Sequence, residues 1–170
     1  SAASDVYKRQ DNQLVKKHHD LVRMLLMNQD GFITENNHLD LFTDGHELYD
    51  QMLEDIRNAK DYIHLEYFGF ELDGLGKRII KALEEKLKEG LEVKLLYDDV
   101  GSKKISRANF KHFNELGGEV EAFFASKLPI INFRMNNRNH RKIVVIDGQV
   151  GYIGGFNVCF LYTSPSPRDQ

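Results

Sequence analysis

The sequence predicts an α/β sandwich, on two observations. Segments of helical periodicity alternate with short runs rich in aromatic and β-branched residues, and the run–helix–run order implies crossover connections that cover both faces of a sheet. The 170 residues, 41% apolar and 29% charged, have an ordinary globular composition with enough apolar surface for a sizeable core.

The elements follow in order. His18 to Met27 has helical periodicity, closed by Asn28-Gln29-Asp30-Gly31. Its Val15, Leu21, Val22, Leu25 and Leu26 form an apolar stripe suited to core packing, or alternatively to a membrane surface. Leu39 to Phe42 reads as a short strand, and Asp44 with Glu47 fits a capping box opening a helix that buries Leu48, Met52, Ile56 and Ala59. Tyr62 to Phe70 is a strand, Asp73 caps a helix whose Ile79, Ile80, Leu83 and Leu87 face inward, and Gly90 ends it. Leu91 to Tyr97 is the next strand, Ser106 to Leu116 a helix capped by Gly117, and Val120 to Phe124 another strand. A polar Arg- and Asn-rich loop leads to a strand at Lys142 to Asp147, and Asp147-Gly148 turns the chain into Val150 to Ile153.

The two ends differ from everything between them. DVYKRQ near the start can be encoded by GATGTGTATAAGAGACAG, whose reverse complement in a shifted frame reads Cys-Leu-Leu-Tyr-Thr-Ser, one base change from residues 159 to 164. Segments 1–10 and 159–170 are therefore expected to be translated sequencing-library adapter and are set aside from the fold. On this reading the native part is roughly 11–158, with 11–34 an N-terminal helix and linker. Leaving out Asp5, Lys8 and Arg9, together +1, and the cancelling Arg168 and Asp169 takes the net charge from −3 to −4. A mildly acidic domain is a poor general binder of nucleic acid. Cys159, the one cysteine, falls in the foreign tail, so redox compartment is not legible. No apolar run approaches the ~18 residues of a membrane-spanning helix.

The chemistry concentrates in RNHRKIVVIDGQVGYIGGFN, residues 138 to 157. It holds His140, Lys142 and Asp147 in the pattern His-x-Lys-x-x-x-x-Asp, followed by Gly154, Gly155 and Asn157. The combined spacing would arise by chance in roughly one chain in ten thousand or fewer. On an extended strand His140, Lys142, Val144 and Ile146 share one face, and Ile143, Val145 and Asp147 the other. His140 and Lys142 then reach one ligand together: a neutral imidazole can attack phosphorus, and an ammonium can hold charge on phosphoryl oxygens. Asp147 is placed to fix local structure or orient a neighbour. Gly154 and Gly155 lack Cβ atoms and admit a phosphate close to the backbone, to which the Asn157 amide can donate. Arg134, Arg138 and Arg141 can meet an anionic head group or remain solvated. Glu66, sharing a strand face with His64, can line the site or pair with a base. His18, His19, His38, His46 and His112 show no metal-ligand spacing, and Asp98-Asp99 suits a turn better than a cation.

This motif resembles that of the phospholipase D superfamily. LFTDGHELYDQMLEDIRNAKDYIHLEYFGF (41–70), LYDDVGS (96–102), NHRKIVVIDG (139–148) and GGFN (154–157) further resemble bacterial cardiolipin synthases, over roughly residues 35 to 158. The resemblance implies one half of a phospholipase D-like α/β/α sandwich, in which two motifs face one active site. It implies His140, Lys142 and Asp147 as the catalytic triad and Asn157 as a phosphate contact, with no metal or other cofactor. It also implies joining of two phosphatidylglycerol molecules through a phosphohistidine, with release of glycerol. The expected partners are that anionic phospholipid, a membrane surface and a C-terminal half bearing the second motif; nucleic acid is not among them. The expected location is the cytoplasmic side of a bacterial cell membrane. The sequence stops just after the first motif, so the chain alone is expected to be inactive or very weak. Two other functions stand beside this one: a phosphodiesterase or nuclease working as a dimer, and an inert or merely phosphate-binding half domain. Sequencing the genomic locus across both junctions is expected to replace residues 1–10 and 159–170 with unrelated codons; finding them in the intact gene would refute the adapter reading.

Overall fold

The structure, a computed structural model, describes residues 17–29, 37–123 and 139–159. The chain divides into two compact units, Ser1–Leu41 and Phe42–Gln170. Segments 1–10 and 160–170 lie outside the described residues.

The first unit contains helix α1 (His19–Gln29), close to the span read from its periodicity. Asp20 in its first turn complements the positive end of the helix dipole. Leu21, Met24 and Met27 are exposed, so this part of its apolar surface is not core; Val15 lies outside the described residues. The strand expected at Leu39 to Phe42 does not form. The four residues pair with no described strand, and Leu39 and Leu41 stand almost fully exposed to water.

In the second unit the Asp44 carboxylate accepts the backbone N–H groups of His46 (2.7 Å) and Glu47 (3.1 Å) and so starts α2 (Gly45–Asn58). Met52, Ile56 and Ala59 are buried as expected, joined by Tyr49 and Leu53, while Leu48 is half-buried. Strand β1 (Tyr62–Tyr67) follows and is shorter than the expected Tyr62 to Phe70. Asp73 then caps α3 (Gly74–Lys88) through the N–H groups of Leu75 and Gly76, both 3.0 Å. Gly90 ends that helix at φ +93°, a value glycine adopts without Cβ strain. Buried Lys86 reaches back from α3 to donate to the Ala59 carbonyl at 3.2 Å and to Glu89 at 2.7 Å.

Strand β2 (Glu92–Asp98) leads to a 3-10 turn at Arg107–Phe110 and the short α4 (Lys111–Glu115), where one continuous helix was expected. The Asn109 side chain accepts from the Ser106 N–H at 2.8 Å and holds that tighter first turn. Strands β3 (Glu119–Phe123), β4 (Lys142–Ile146) and β5 (Val150–Ile153) complete a sheet of order β3-β2-β1-β4-β5. β1, β2 and β3 are parallel; β4 runs antiparallel to β1, and β5 to β4.

Among the described residues this order places the crossover helices on one face of the sheet. Right-handed crossovers that add strands in one direction, β1 to β2 to β3, put their helices on the same side. Ile63, Leu65, Tyr67, Val93, Leu95, Tyr97, Val144 and Ile146 of that face form one core with α2, α3 and Phe110 and Phe113. On the opposite face His64, Glu66, Lys94, Leu96, Ile143 and Val145 are only half-buried and line a shallow hollow of about 360 Å³.

Leu83 is fully buried at the centre of the helix-covered face. Leu83→Ala is expected to cost about 2–5 kcal/mol, read as a lower urea midpoint with an unchanged slope.

Candidate active site

The site is built where β1 and β4 end beside one another. Tyr67 pairs with Lys142, Leu65 with Val144 and Ile63 with Ile146. Val144 and Ile146 therefore point into the core, and Lys142, on the same face but at the strand's first position, emerges half-exposed at the edge. His140 lies two residues before the strand begins and is exposed, so strand alternation does not aim its ring.

Phe68 aims it instead. The His140 imidazole stacks on the Phe68 ring with centroids 4.0 Å apart and planes 20° from parallel. The Lys142 ammonium stands 5.2 Å from the centre of the same ring and donates to the His140 carbonyl at 2.8 Å. The two expected residues are thus gathered around one aromatic side chain. Behind them, burial pushes the Tyr67 phenol well above its ordinary value, and its hydroxyl stays protonated against the Met52 sulfur at 3.7 Å.

Phe68 is placed by the four-residue stretch Phe68 to Glu71, whose successive N–H groups each find a different acceptor. Phe68 donates to the Arg141 carbonyl (3.0 Å), Gly69 to Asn157 Oδ1 (3.0 Å), Phe70 to Ser102 Oγ (3.0 Å) and Glu71 to the Val158 carbonyl (2.8 Å). Ser102 Oγ also donates to the Phe68 carbonyl at 3.2 Å. A Cβ on Gly101 would come within 2.2 Å of that carbonyl, so the turn after β2 can seat against it only with glycine.

The glycine pair and Asn157 come to the same end of the sheet. The Gly154 N–H donates to the Lys142 carbonyl at 3.3 Å, and both Gly154 and Gly155 are exposed, with open space where a Cβ would be. Asn157 is held from two sides: its Oδ1 by Gly69 and its carbonyl by the Tyr49 hydroxyl at 2.7 Å. With its oxygen so engaged, the Asn157 NH₂ is the end that can donate to a ligand.

Asp147 is not brought to this pair. It lies past the other end of β4, where its Oδ2 accepts from the Lys60 N–H (2.8 Å) and its Oδ1 from Asp61 (2.9 Å) and Tyr62 (3.0 Å). Asp147 and Gly148, at φ +54° and +63°, turn β4 into β5 through a Gln149 N–H to Ile146 carbonyl bond of 3.0 Å. Burial alone would raise the Asp147 carboxyl; the three N–H groups and the nearby Lys60 charge outweigh it and hold it below its ordinary value.

Of the other expected residues, Arg134 and Arg138 lie outside those described. Arg141 is exposed, 3.8 Å from Glu66. His64 Nε2 donates to the Glu92 carboxylate at 2.6 Å, and Asp98 caps the turn after β2 through the N–H groups of Val100 and Gly101, as a turn residue should. His18, His19, His38, His46 and His112 are exposed, and no His, Cys, Asp and Glu cluster able to hold a metal occurs among the described residues. Phe68, Ser102 and Asn139 were not singled out from sequence. The Asp-Asp-x-Gly-Ser turn at 98–102 is the local signal that points to the second of these.

A model of the family described as cardiolipin synthase, PLD-like domain, matches residues 52–160. The chain belongs to that family. It is 76% identical over 148 residues to cardiolipin synthase 1 of Staphylococcus aureus (strain COL), an alignment covering 87% of this chain and 30% of that protein. It is 49% identical over 168 residues to cardiolipin synthase 2 of Staphylococcus epidermidis (strain ATCC 12228 / FDA PCI 1200), covering 96% and 34%. The chain thus spans about a third of the length of these curated relatives of the cardiolipin synthase family. Among solved structures, NucT from Helicobacter pylori matches with a TM-score of 0.50 at 14% identity, covering 68% of this chain and 69% of that one, a likeness of fold.

The lowered Asp147 value means that its ionised form favours the folded state. That contribution is complete above the carboxylate range of the unfolded chain and fades as pH falls through the lowered value. Asp147→Ala is expected to lower the melting temperature most at neutral pH, with the gap to the unaltered chain narrowing toward about pH 3. A gap independent of pH would contradict the charge-based cap.

Proposed function

We propose that this chain is the first catalytic half of a cardiolipin synthase, a phosphatidyltransferase that joins two phosphatidylglycerol molecules. The observation that carries the reading is the gathering of the His140 imidazole and the Lys142 ammonium around Phe68, beside the open Gly154 corner. The 76% identity to a protein named cardiolipin synthase 1 supports the choice of reaction.

A neutral His140 nitrogen attacks the phosphorus of one phosphatidylglycerol, and the bond from phosphorus to the glycerol oxygen breaks. Lys142, the Gly155 N–H and the Asn157 NH₂ hold the charge that gathers on the phosphoryl oxygens. The departing glycerol takes a proton from a general acid, a role assigned to the second motif of the longer protein. The hydroxyl of a second phosphatidylglycerol then attacks the phosphohistidine, gives its proton back to that group and frees His140. Asp147 takes no part in these transfers; its place is to anchor the start of β1 to the end of β4.

In this proposal the working protein acts at a bacterial membrane surface, on the cytoplasmic side. No helix among the described residues is long and apolar enough to cross a membrane. A dimeric nuclease would have to draw a polyanion to a chain of net charge −3, which disfavours that reading.

The isolated chain is expected to show no measurable turnover, and to regain lipid exchange when mixed with the second half of a relative. Label from phosphatidylglycerol phosphorus should become acid-labile on His140 and vanish in His140→Ala. Lys142→Ala is expected to reduce exchange by about 10²–10³-fold. Undiminished labelling of His140→Ala would remove the nucleophile assignment.

A further inference from the structure

Asp98 is a fully buried carboxylate with no part in the phosphoryl chemistry. Its Oδ1 accepts from the N–H groups of Val100 (2.9 Å) and Gly101 (3.0 Å), and its Oδ2 accepts from the N–H of Asn139 at 3.2 Å. On the adjoining parallel strand Glu66 presents a second carboxylate, and its Oε1 accepts a short hydrogen bond from Asn139 Nδ2. Asn139 Oδ1 in turn accepts from the Arg141 N–H at 3.3 Å. Asn139 is only 9% exposed, although the next residue, His140, is open to solvent.

An amide is the side chain this place requires. It must donate toward Glu66 and accept from Arg141 at once; an aspartate would set a third carboxylate against two others, and alanine would leave Glu66 without its donor. The peptide on either side of His140 is thereby fixed: Asn139 holds it from behind, and the Arg141 carbonyl takes the Phe68 N–H in front. A histidine outside regular structure would otherwise be free in two backbone torsions and its side-chain rotamers.

We infer that Asn139 is a positioning residue. Pinned on Glu66 and Asp98, it sets the peptide leading into His140 and so lays the imidazole flat on Phe68. This rests on His140 as the nucleophile for its importance to turnover, but the placement itself is measured without turnover.

The test is NMR of the whole chain with labelled histidine, the His140 signals assigned with His140→Gln. In the unaltered chain the His140 ring protons should be displaced upfield by the Phe68 ring current, and Phe68→Leu should abolish the displacement. Asn139→Ala is expected to abolish it too, moving His140 toward the exposed His46 and His112, while the amide signals of β1 and β2 keep their folded dispersion. Glu66→Ala should have the same effect and decides the matter if Asn139→Ala does not fold, since Glu66 lies on the half-buried face. Glu66→Gln, which keeps an acceptor oxygen, should retain the displacement. If it persists in both Asn139→Ala and Glu66→Ala, Phe68 alone places the ring and the inference fails. Loss of phosphohistidine labelling with an unchanged ring shift would overturn the nucleophile and leave the positioning role standing.

Discussion

Four consecutive N–H groups, those of Phe68, Gly69, Phe70 and Glu71, hold the rest of the site in place. Each is satisfied by a different residue, and those acceptors lie in three stretches of chain far apart in sequence: the turn after β2, the lead into β4, and the segment that follows β5. Gly69 and Phe70 are buried, where unmet N–H groups are costly, so the three stretches cannot drift independently. The stacked His140, the ammonium of Lys142 and the Gly154 corner inherit their relative positions from this one piece of backbone.

Much of the fold was legible because local rules and tertiary packing agree. Asp44 and Asp73 cap the helices they were expected to cap, Gly90 and Gly117 close helices at positive φ, and Asp147-Gly148 makes the turn its composition announces. Where the reading failed, missing strand pairing or a local side-chain bond decided. The residues Leu39 to Phe42 have strand composition but no neighbour to pair with. The helix at Ser106 to Leu116 begins as a tighter turn because the Asn109 side chain bonds back to Ser106.

The candidate site was legible in its residue types and less so in its geometry. Spacing alone picked out His140 and Lys142, and both lie against the ring of Phe68. The stated reason, a shared strand face, holds for Lys142 with Val144 and Ile146 but not for His140, which precedes the strand. Glu66 was weighed as a site-lining or paired residue; its partners are Asn139 and Arg141. Asn139 carries no signal of its own in sequence, because its function depends on two carboxylates more than forty residues upstream.

The separation of Asp147 from the other two motif residues bears on how degenerate copies of this pattern should be interpreted. Its carboxylate closes the fold by gathering three main-chain donors, a service that any intact copy requires whether or not it performs chemistry. A copy that had lost the histidine could keep this cap unchanged. Its presence in a diverged sequence marks the strand-to-strand closure rather than the nucleophile.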